Sequence, residues 1–391
     1  MNNILHTIHV WSKRHRDIFS VVGIVFVWRL VVEFFGQYAN YRWSLLRVGS
    51  GGAIGFRLQR MKEIWDQWDA GWYYDIIQHG YQFVSTELHS NITFFPLYPY
   101  LVKFTSWVLH VDPLHFGPIF STLCLFAAAV IFYKLILLDY TKELALASLV
   151  ALLIFPLSIF FVAMYAESLF LLLAVAVFYA ARKGNFWVAG VLAFFLSLTR
   201  LVGAFAFVAL VFEYLQQKNF KWKHVRADIV ATLLSPLGLG TYMAYIWAKF
   251  GSPWLVITAS EASNRSFQPI WHVIATQYAP LLIDFSKASL SDDLRVRLFD
   301  LLFFLLGVLL VVLCFMYLRK SYAIFALLAF LAPAVSGQLG GIGRYEIVIF
   351  PFFILFGLAF KWLPFKVAYV FLSGFLLFEF LILFVTGNWV A

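Results

Sequence analysis

Residues 18–35, IFSVVGIVFVWRLVVEFF, form an apolar run that is long enough to remain in a lipid bilayer. A bilayer core of about 30 Å requires a helix of about 20 mainly apolar residues. Lys13, Arg14 and Arg16 precede the run, and no small-residue cleavage site follows it. We therefore predict a retained membrane span that begins the fold, and no cleaved signal peptide.

The rest of the chain has the same apolar character. Hydrophobic residues make up 63% of the sequence and charged residues only 13%, against about 25% charged residues in ordinary globular domains. The apolar runs are too long for the strands of a membrane β-barrel, and apolar and polar residues do not alternate along them as such strands require. We predict one all-α polytopic membrane domain over residues 1–391, with about eleven spans near 18–38, 116–138, 144–162, 167–181, 186–199, 203–217, 228–249, 298–318, 321–338, 346–360 and 367–388.

The positive charge is distributed as membrane orientation requires. The net charge is +9, but the basic residues are scattered, so nucleic acid is not an expected partner. Placing the N-terminus in the cytoplasm puts many lysines and arginines in very short inner connections, where the positive-inside bias operates. We expect a multi-pass protein of the cell membrane. Cys124 and Cys314 fall in apolar runs, where buried thiols are expected.

Two long segments then lie on the outer face, at 39–115 and 250–297. Connections longer than about 12–15 residues usually carry function or structure of their own. In the first segment, residues 42–64 mix arginines with tryptophan, leucine and isoleucine, which is typical of helices in the membrane interface. We expect the functional motif in this first outer segment.

The sequence WDQWDAG at 65–71 holds the first candidate residue, Asp69. A short helix is expected over 70–79, ending at Gly80. Asp69 is then either the N-cap of this helix or a partly desolvated general base. Trp68 and Trp72 place aromatic rings beside the carboxylate, an arrangement suited to holding a sugar. In NITFFPLYP at 91–99, a helix-starting proline indicates a mainly structural motif.

Three isolated ionisable residues return to the same outer face: Glu167, Arg200 and Arg344. Charged residues at membrane depth are costly, so they are usually paired or functional. Guanidinium groups bind phosphate in a two-pronged manner. The sequence leaves open whether these residues form a plain salt bridge, such as Glu167 with Arg200, or a phosphate site that also includes Tyr345.

The sequence contains none of several common motifs for phosphate binding, metal binding or nucleophilic catalysis. The chain lacks a glycine-rich phosphate loop with lysine, a helical histidine pair and a serine nucleophile motif. We expect no cofactor and no required metal, although Asp66 with Asp69 leaves a divalent metal open. A nucleotide sugar is not the expected donor.

Several motifs, taken in order, resemble the PIG-V family of mannosyltransferases, which includes relatives of GPI mannosyltransferase 2 and short prokaryotic members. These are WDA at 68–70, Gly80-Tyr81, FFPLYP at 94–99, FPLSIF at 155–160 with YAESLF at 165–170, TRLVG at 199–203, and GRY at 343–345 with Pro351. In the family the motif that corresponds to TRLVG at 199–203 usually reads Arg-Ser-Asn-Gly. Here Leu201 and Val202 replace its polar pair.

The resemblance implies a bundle of the GT-C glycosyltransferase superfamily, with a catalytic acidic residue in the first outer loop. It implies a hexosyltransferase that uses a polyprenyl-phosphate donor, with mannose as the sugar. The acceptor is a glycolipid, a glycan or a protein. The hypothesis is an inverting displacement in which Asp69 is the base, Arg344 and Arg200 stabilise the leaving phosphate, and Glu167 orients Arg200 or a sugar hydroxyl.

Two other classes of function remain open. A transporter or flippase for lipids or lipid-linked glycans would continue its ionisable residues across to the cytoplasmic side. In this sequence we expect them to stop near the outer side, which favours the enzyme. A non-catalytic subunit that binds a glycolipid would bind the same ligand without needing Asp69 for catalysis.

Overall fold

The computed structural model describes residues 2–48, 64–83, 85, 90–259, 265–279 and 292–390. Within these ranges the chain is helical and contains no strand, which confirms the predicted all-α class. The α-helices are α1 Asn2–Val48, α2 Asp69–His79, α3 Leu97–Leu109, α4 Pro113–Ile136, α5 Lys142–Ile154, α6 Glu167–Arg182, α7 Phe186–Ser197, α8 Ala206–Gln217, α9 Leu234–Phe250, α10 Leu255–Thr258, α11 Ile270–Val273, α12 Asp292–Tyr317, α13 Lys320–Ala334, α14 Ile342–Glu346, α15 Phe350–Ala359 and α16 Leu363–Val385.

Short tighter turns join several of these helices. The 3₁₀ segments are Asn91–Thr93, Ser158–Phe161, Leu201–Phe205, Trp222–His224 and Ala227–Leu233, and Ile274–Tyr278 is a π-helical turn.

Five described helices are long and apolar enough to cross a membrane: Asp17–Leu45, Pro113–Ile136, Ala227–Phe250, Arg295–Tyr317 and Leu363–Val385. Four shorter apolar helices accompany them, at Phe186–Ser197, Leu201–Gln217, Lys320–Ala334 and Phe350–Ala359. Each of the eleven predicted segments overlaps a described helix, but fewer of them have the length of a full span.

Two predicted boundaries are wrong. The span expected at 144–162 ends at Ile154, because Pro156 excludes Phe155 from a helical conformation. The first span does not end near residue 38, since α1 continues to Val48. Of the interfacial helices expected over 42–64, residues 49–63 lie outside the described part of the chain. Cys124 and Cys314 are free and buried, as expected.

The central helix of the bundle is α6, which packs between α4 and α7. Its Phe178 ring lies 5.1 Å from Phe325 of α13 and 5.2 Å from Phe350 of α15, centroid to centroid. Close approach of α7 to the 227–233 turn requires Gly190, because a Cβ there would lie 2.1 Å from the Ala231 carbonyl oxygen. Glu167 is the first residue of α6, so the helix dipole favours its negative charge.

A buried ionic cluster lies near the end of α6 that is opposite Glu167. The Glu213 carboxylate is fully buried and accepts hydrogen bonds from Arg319 Nε at 2.7 Å and Nη2 at 2.9 Å. Arg182, at the end of α6, binds Asp139 through both oxygens. The expectation that ionisable residues stop near one side is therefore wrong. Between its two ends, at positions 168–181, α6 contains no charged residue.

Candidate functional site

Asp69 begins α2 and does not cap it. The residue before the helix is Trp68, whose φ of 56° lies in the left-handed region, and no side chain caps the helix there. Of the two alternatives for Asp69, the N-cap is therefore wrong: its carboxylate pairs with Arg344. A positive φ is costly for a residue as large as tryptophan, so the turn must be held by other contacts. Gly80 ends the helix with a φ of 76°, as predicted.

Tyr165 holds this turn in place. Its hydroxyl donates to the Gln67 carbonyl oxygen at 2.8 Å and accepts from the Asp69 backbone N–H at 3.1 Å. At the start of the motif, the Trp65 indole N–H donates to a Glu33 carboxylate oxygen of α1 at 2.9 Å. The strained turn is thus tied both to the segment that precedes α6 and to the first span.

Arg344 is the centre of the site. Its Nε donates to Glu167 Oε1 at 2.5 Å, and its Nη1 forms a short ion pair with Asp69 Oδ2. The guanidinium carbon also lies 4.4 Å from the Tyr165 ring centroid and 5.0 Å from that of Phe160. Burial alone would lower the pKa of Arg344, but the two carboxylates outweigh it and raise the pKa well above its usual value. Arg344 therefore remains charged.

Arg200 reaches the same carboxylate from the turn after α7. Its Nη1 donates to Glu167 Oε1 at 2.6 Å, and its guanidinium lies 4.4 Å from the Tyr345 ring centroid. Sequence reasoning missed Arg265, whose guanidinium lies 5.9 Å from the same ring. Burial opposes ionisation of the Tyr345 phenol, but Arg265, Arg200 and Arg344 outweigh it and lower its pKa.

The predicted proximity of Asp69, Glu167, Arg200 and Arg344 is confirmed by these contacts. They come from four separate segments, and their chemical roles stay predictions. The Glu167 side chain is completely buried, whereas 21% of the Asp69 side chain is exposed. Asp69 is therefore the carboxylate that a substrate can reach. Two carboxylates balance Arg200 and Arg344, and Arg265 adds a further positive charge nearby.

The predicted aromatic residues have different surroundings. Trp68 is 42% exposed and meets Trp389 edge to face, with ring centroids 5.0 Å apart. Trp72 instead stacks on Phe94 of the 94–99 motif, at 6.0 Å and an interplanar angle of 17°. Tyr98 of this motif is buried and shares a 2.8 Å hydrogen bond with Ser121 of α4. These contacts agree with the structural role expected for the motif, whose helix begins one residue after Pro96.

Asn91 stabilises the segment that follows α2 through several hydrogen bonds. Asn91 Nδ2 donates to Asp75 Oδ2 at 2.7 Å and to the Gly80 carbonyl oxygen at 3.1 Å, and its Oδ1 accepts from the Gln82 N–H. Asp75 is therefore half-buried and bonded to this segment.

Metal ligands are not grouped in the part of the chain that the structure describes: no three histidine, cysteine, aspartate or glutamate residues lie together. The Asp69 carboxylate is instead engaged by a guanidinium group. That the chain needs no metal or other cofactor stays a prediction.

Comparison with known proteins gives a limited result. No family model and no curated protein matches the chain. Among solved structures, it is similar to the oligosaccharyltransferase of Archaeoglobus fulgidus in the apo form, with 13% identity and a TM-score of 0.43 over 93% of this chain. It is also similar to that enzyme tethered to an acceptor peptide containing the NVT sequon, with 10% identity and a TM-score of 0.43 over 97% of this chain. The chain spans 56% of the length of both. Any assignment of function therefore rests on the geometry of the site.

Proposed function

We propose that this protein is a membrane glycosyltransferase of the GT-C type, a PIG-V-like mannosyltransferase. It transfers a hexose from a polyprenyl-phosphate donor to an acceptor on the extracytoplasmic side of the cell membrane. The acceptor is a glycolipid, a glycan or a protein. The N-terminus lies in the cytoplasm, and the site faces outwards.

The observation that supports this proposal is the cluster of Asp69, Arg344, Glu167 and Arg200. Four segments far apart in sequence bring two carboxylates and two guanidinium groups into direct contact. Buried ions are expensive unless they are paired, and a purely structural pair would have no need to leave Asp69 partly exposed. The exposed carboxylate and the adjacent guanidinium groups are the groups that a sugar-phosphate transfer requires.

The proposed reaction is an inverting displacement. Asp69 removes the proton of an acceptor hydroxyl, whose oxygen forms a bond to the anomeric carbon of the donor sugar. The bond from that carbon to the phosphate oxygen breaks, and its electron pair leaves with the polyprenyl phosphate. Arg344 and Arg200 stabilise the charge that develops on this phosphate. When the phosphate binds Arg344, it competes with Asp69 for the guanidinium and so releases the base.

Glu167 is a positioning residue in this scheme. Both guanidinium groups bind the same oxygen, Oε1, and the side chain is completely buried. Glu167 therefore holds Arg344 and Arg200 at a fixed separation. This preorganisation means that little reorganisation is needed when the transition state forms.

The test is transfer of labelled mannose from polyprenyl-phosphate mannose, in vesicles that contain the purified chain and a lipid extract as the acceptor source. Asp69→Asn should lower the rate by about 10²–10⁴-fold, the usual contribution of a general base. Asp66→Asn is the matched control at a neighbouring carboxylate and should retain transfer. A folded Asp69→Asn protein with near-normal transfer would refute the assignment of the base. Absence of transfer by the purified wild-type chain would instead favour a non-catalytic glycolipid-binding subunit.

The Glu213 cluster is the one observation that favours a transporter, because buried charges lie at both ends of α6. However, the Glu213 carboxylate is fully engaged by Arg319 and Ser321, and the helix between the two ends carries no charge. The same vesicles distinguish the two functions. An enzyme yields a mannosylated product, whereas a flippase moves the labelled donor across the bilayer without forming a product.

A further inference from the structure

A cavity lies beside the loop that carries Gly340. Its volume is ≈ 350 Å³, within the range of about 300–1,000 Å³ found for small-molecule sites. The segments that line it come from the π-helical turn at Ile274–Tyr278, the start of α12, the 338–340 loop and residues 388–389. Its lining includes Trp389, Asn388, Gln277, Gln338, Arg297 and Asp300.

The lining of this cavity combines the aromatic residues Trp389 and Tyr278 with several planar polar groups. Trp389 is 44% exposed, so its indole is available to a ligand. Gln277 Nε2 donates to the Gly337 carbonyl oxygen at 2.8 Å, and Asn388 Nδ2 donates to Thr386 Oγ1 at 2.9 Å, so both amides are held in fixed orientations. Amide, carboxylate and guanidinium groups together match the donors and acceptors of hydroxyl groups. Indole rings bind the apolar face of a flat ligand. This combination suits a pyranose ring.

The cavity is connected to the proposed active site by two contacts. The Trp389 ring meets the Trp68 ring at 5.0 Å, and Trp68 directly precedes Asp69. On the other side, Asp300 Oδ1 accepts the Gly341 N–H at 3.0 Å, and Gly341 begins the turn into α14, which carries Arg344. Two residues that line the cavity therefore contact the segments that carry Asp69 and Arg344.

We propose that this cavity binds the sugar ring of the acceptor, a pyranose that stacks on Trp389 and presents a hydroxyl group to Asp69. This inference rests on the proposed function and extends it to the acceptor. A general base takes its proton from a hydroxyl group of the acceptor, so we assign the cavity on the Trp68 side of Asp69 to the acceptor. The donor phosphate belongs to Arg344 and Arg200, which lie on the α6 side of Asp69 and bind Glu167.

The experiment is saturation-transfer NMR on the full chain in detergent micelles. The probes are methyl α-mannopyranoside, methyl α-glucopyranoside and methyl α-galactopyranoside. Trp389→Ala should weaken binding of the preferred glycoside about tenfold, or about 1.4 kcal/mol, because it removes the exposed aromatic face on which the sugar stacks. Trp389→Phe keeps an aromatic face and should restore most of the binding. Trp254→Ala removes another exposed tryptophan (60% exposed) outside the cavity and should change nothing.

Asp69→Asn separates this inference from the proposed function. It should abolish transfer and leave glycoside binding nearly intact, because Trp389 and the amides remain. If no glycoside shows saturation transfer that depends on Trp389, the acceptor subsite is refuted, whatever the transfer assay gives. If binding depends on Trp389 but Asp69→Asn transfers normally, the sugar site stands and the base assignment falls.

Discussion

Replacing Glu167 by glutamine tests whether one buried carboxylate organises the whole site. In the native protein its Oε1 accepts from Arg344 Nε at 2.5 Å and from Arg200 Nη1 at 2.6 Å. Glutamine has nearly the same shape but no charge, so two guanidinium groups would face each other with only Asp69 to balance them. We expect a less stable protein in which both arginines move.

The magnitude follows from the geometry. At a charge separation of about 4 Å and an effective dielectric constant of about 20, each pairing contributes about 4 kcal/mol of Coulomb energy. Relaxation and water entry recover part of this loss, and breaking a buried ion pair typically costs about 3–5 kcal/mol. We therefore expect Glu167→Gln to lower the free energy of unfolding by about 3–5 kcal/mol and to lower transfer per folded molecule by about 10²-fold.

Glu213→Gln is the matched control. Glu213 of α8 is also completely buried and accepts two hydrogen bonds, both from Arg319, but it lies near the opposite end of α6. It should lower stability by a similar amount, measured as loss of monodisperse protein on heating in detergent, and leave the transfer rate per folded molecule unchanged. Equal loss of transfer in the two variants would refute the reasoning, and so would wild-type transfer by folded Glu167→Gln.

Three further predictions concern neighbouring features. Arg344→Lys keeps the charge but loses the planar bridge between two carboxylates, so kcat should fall by about 10²–10³-fold in the mannose-transfer assay. Gly343→Ala should lower both transfer and thermal stability, because the new Cβ would lie 2.7 Å from Phe303 Cδ2. Gly374→Ala is the control and should be neutral, because a Cβ there meets nothing within 4 Å. Equal melting temperatures of the two variants would contradict this prediction. Asn91 lies in a glycosylation sequon but its amide is 2% exposed and bonded, so expression in microsomes should give no glycosidase-sensitive mass shift.

Several features could be predicted from local sequence alone. Apolar run length determines that a segment is helical and membrane-embedded, because every backbone polar group in lipid must be satisfied within its own helix. Each of the eleven segments predicted in this way overlaps a described helix. The reasoning failed at their ends, as at Ile154 and Val48, because a helix end depends on local turn residues and on packing against other helices.

The same distinction, between what local sequence predicts and what depends on tertiary packing, applies to the candidate functional residues. Charges in apolar surroundings stand out in a sequence because their burial is costly, and for this reason Glu167, Arg200 and Arg344 could be identified with Asp69. Arg265 carries no such signal, since it lies in a polar segment, and its place beside Tyr345 depends on the folded chain.

The sequence by itself determined the helical membrane class and the residues whose charge needs a partner, since hydropathy and the cost of burying a charge are properties of single segments. Only the tertiary structure decided which partners they have. Arg344 contacts Asp69 across 275 positions of the chain, and Trp389 meets Trp68 from the far end of the chain. Such contacts depend on how the helices pack around α6, and no local pattern of residues encodes that packing.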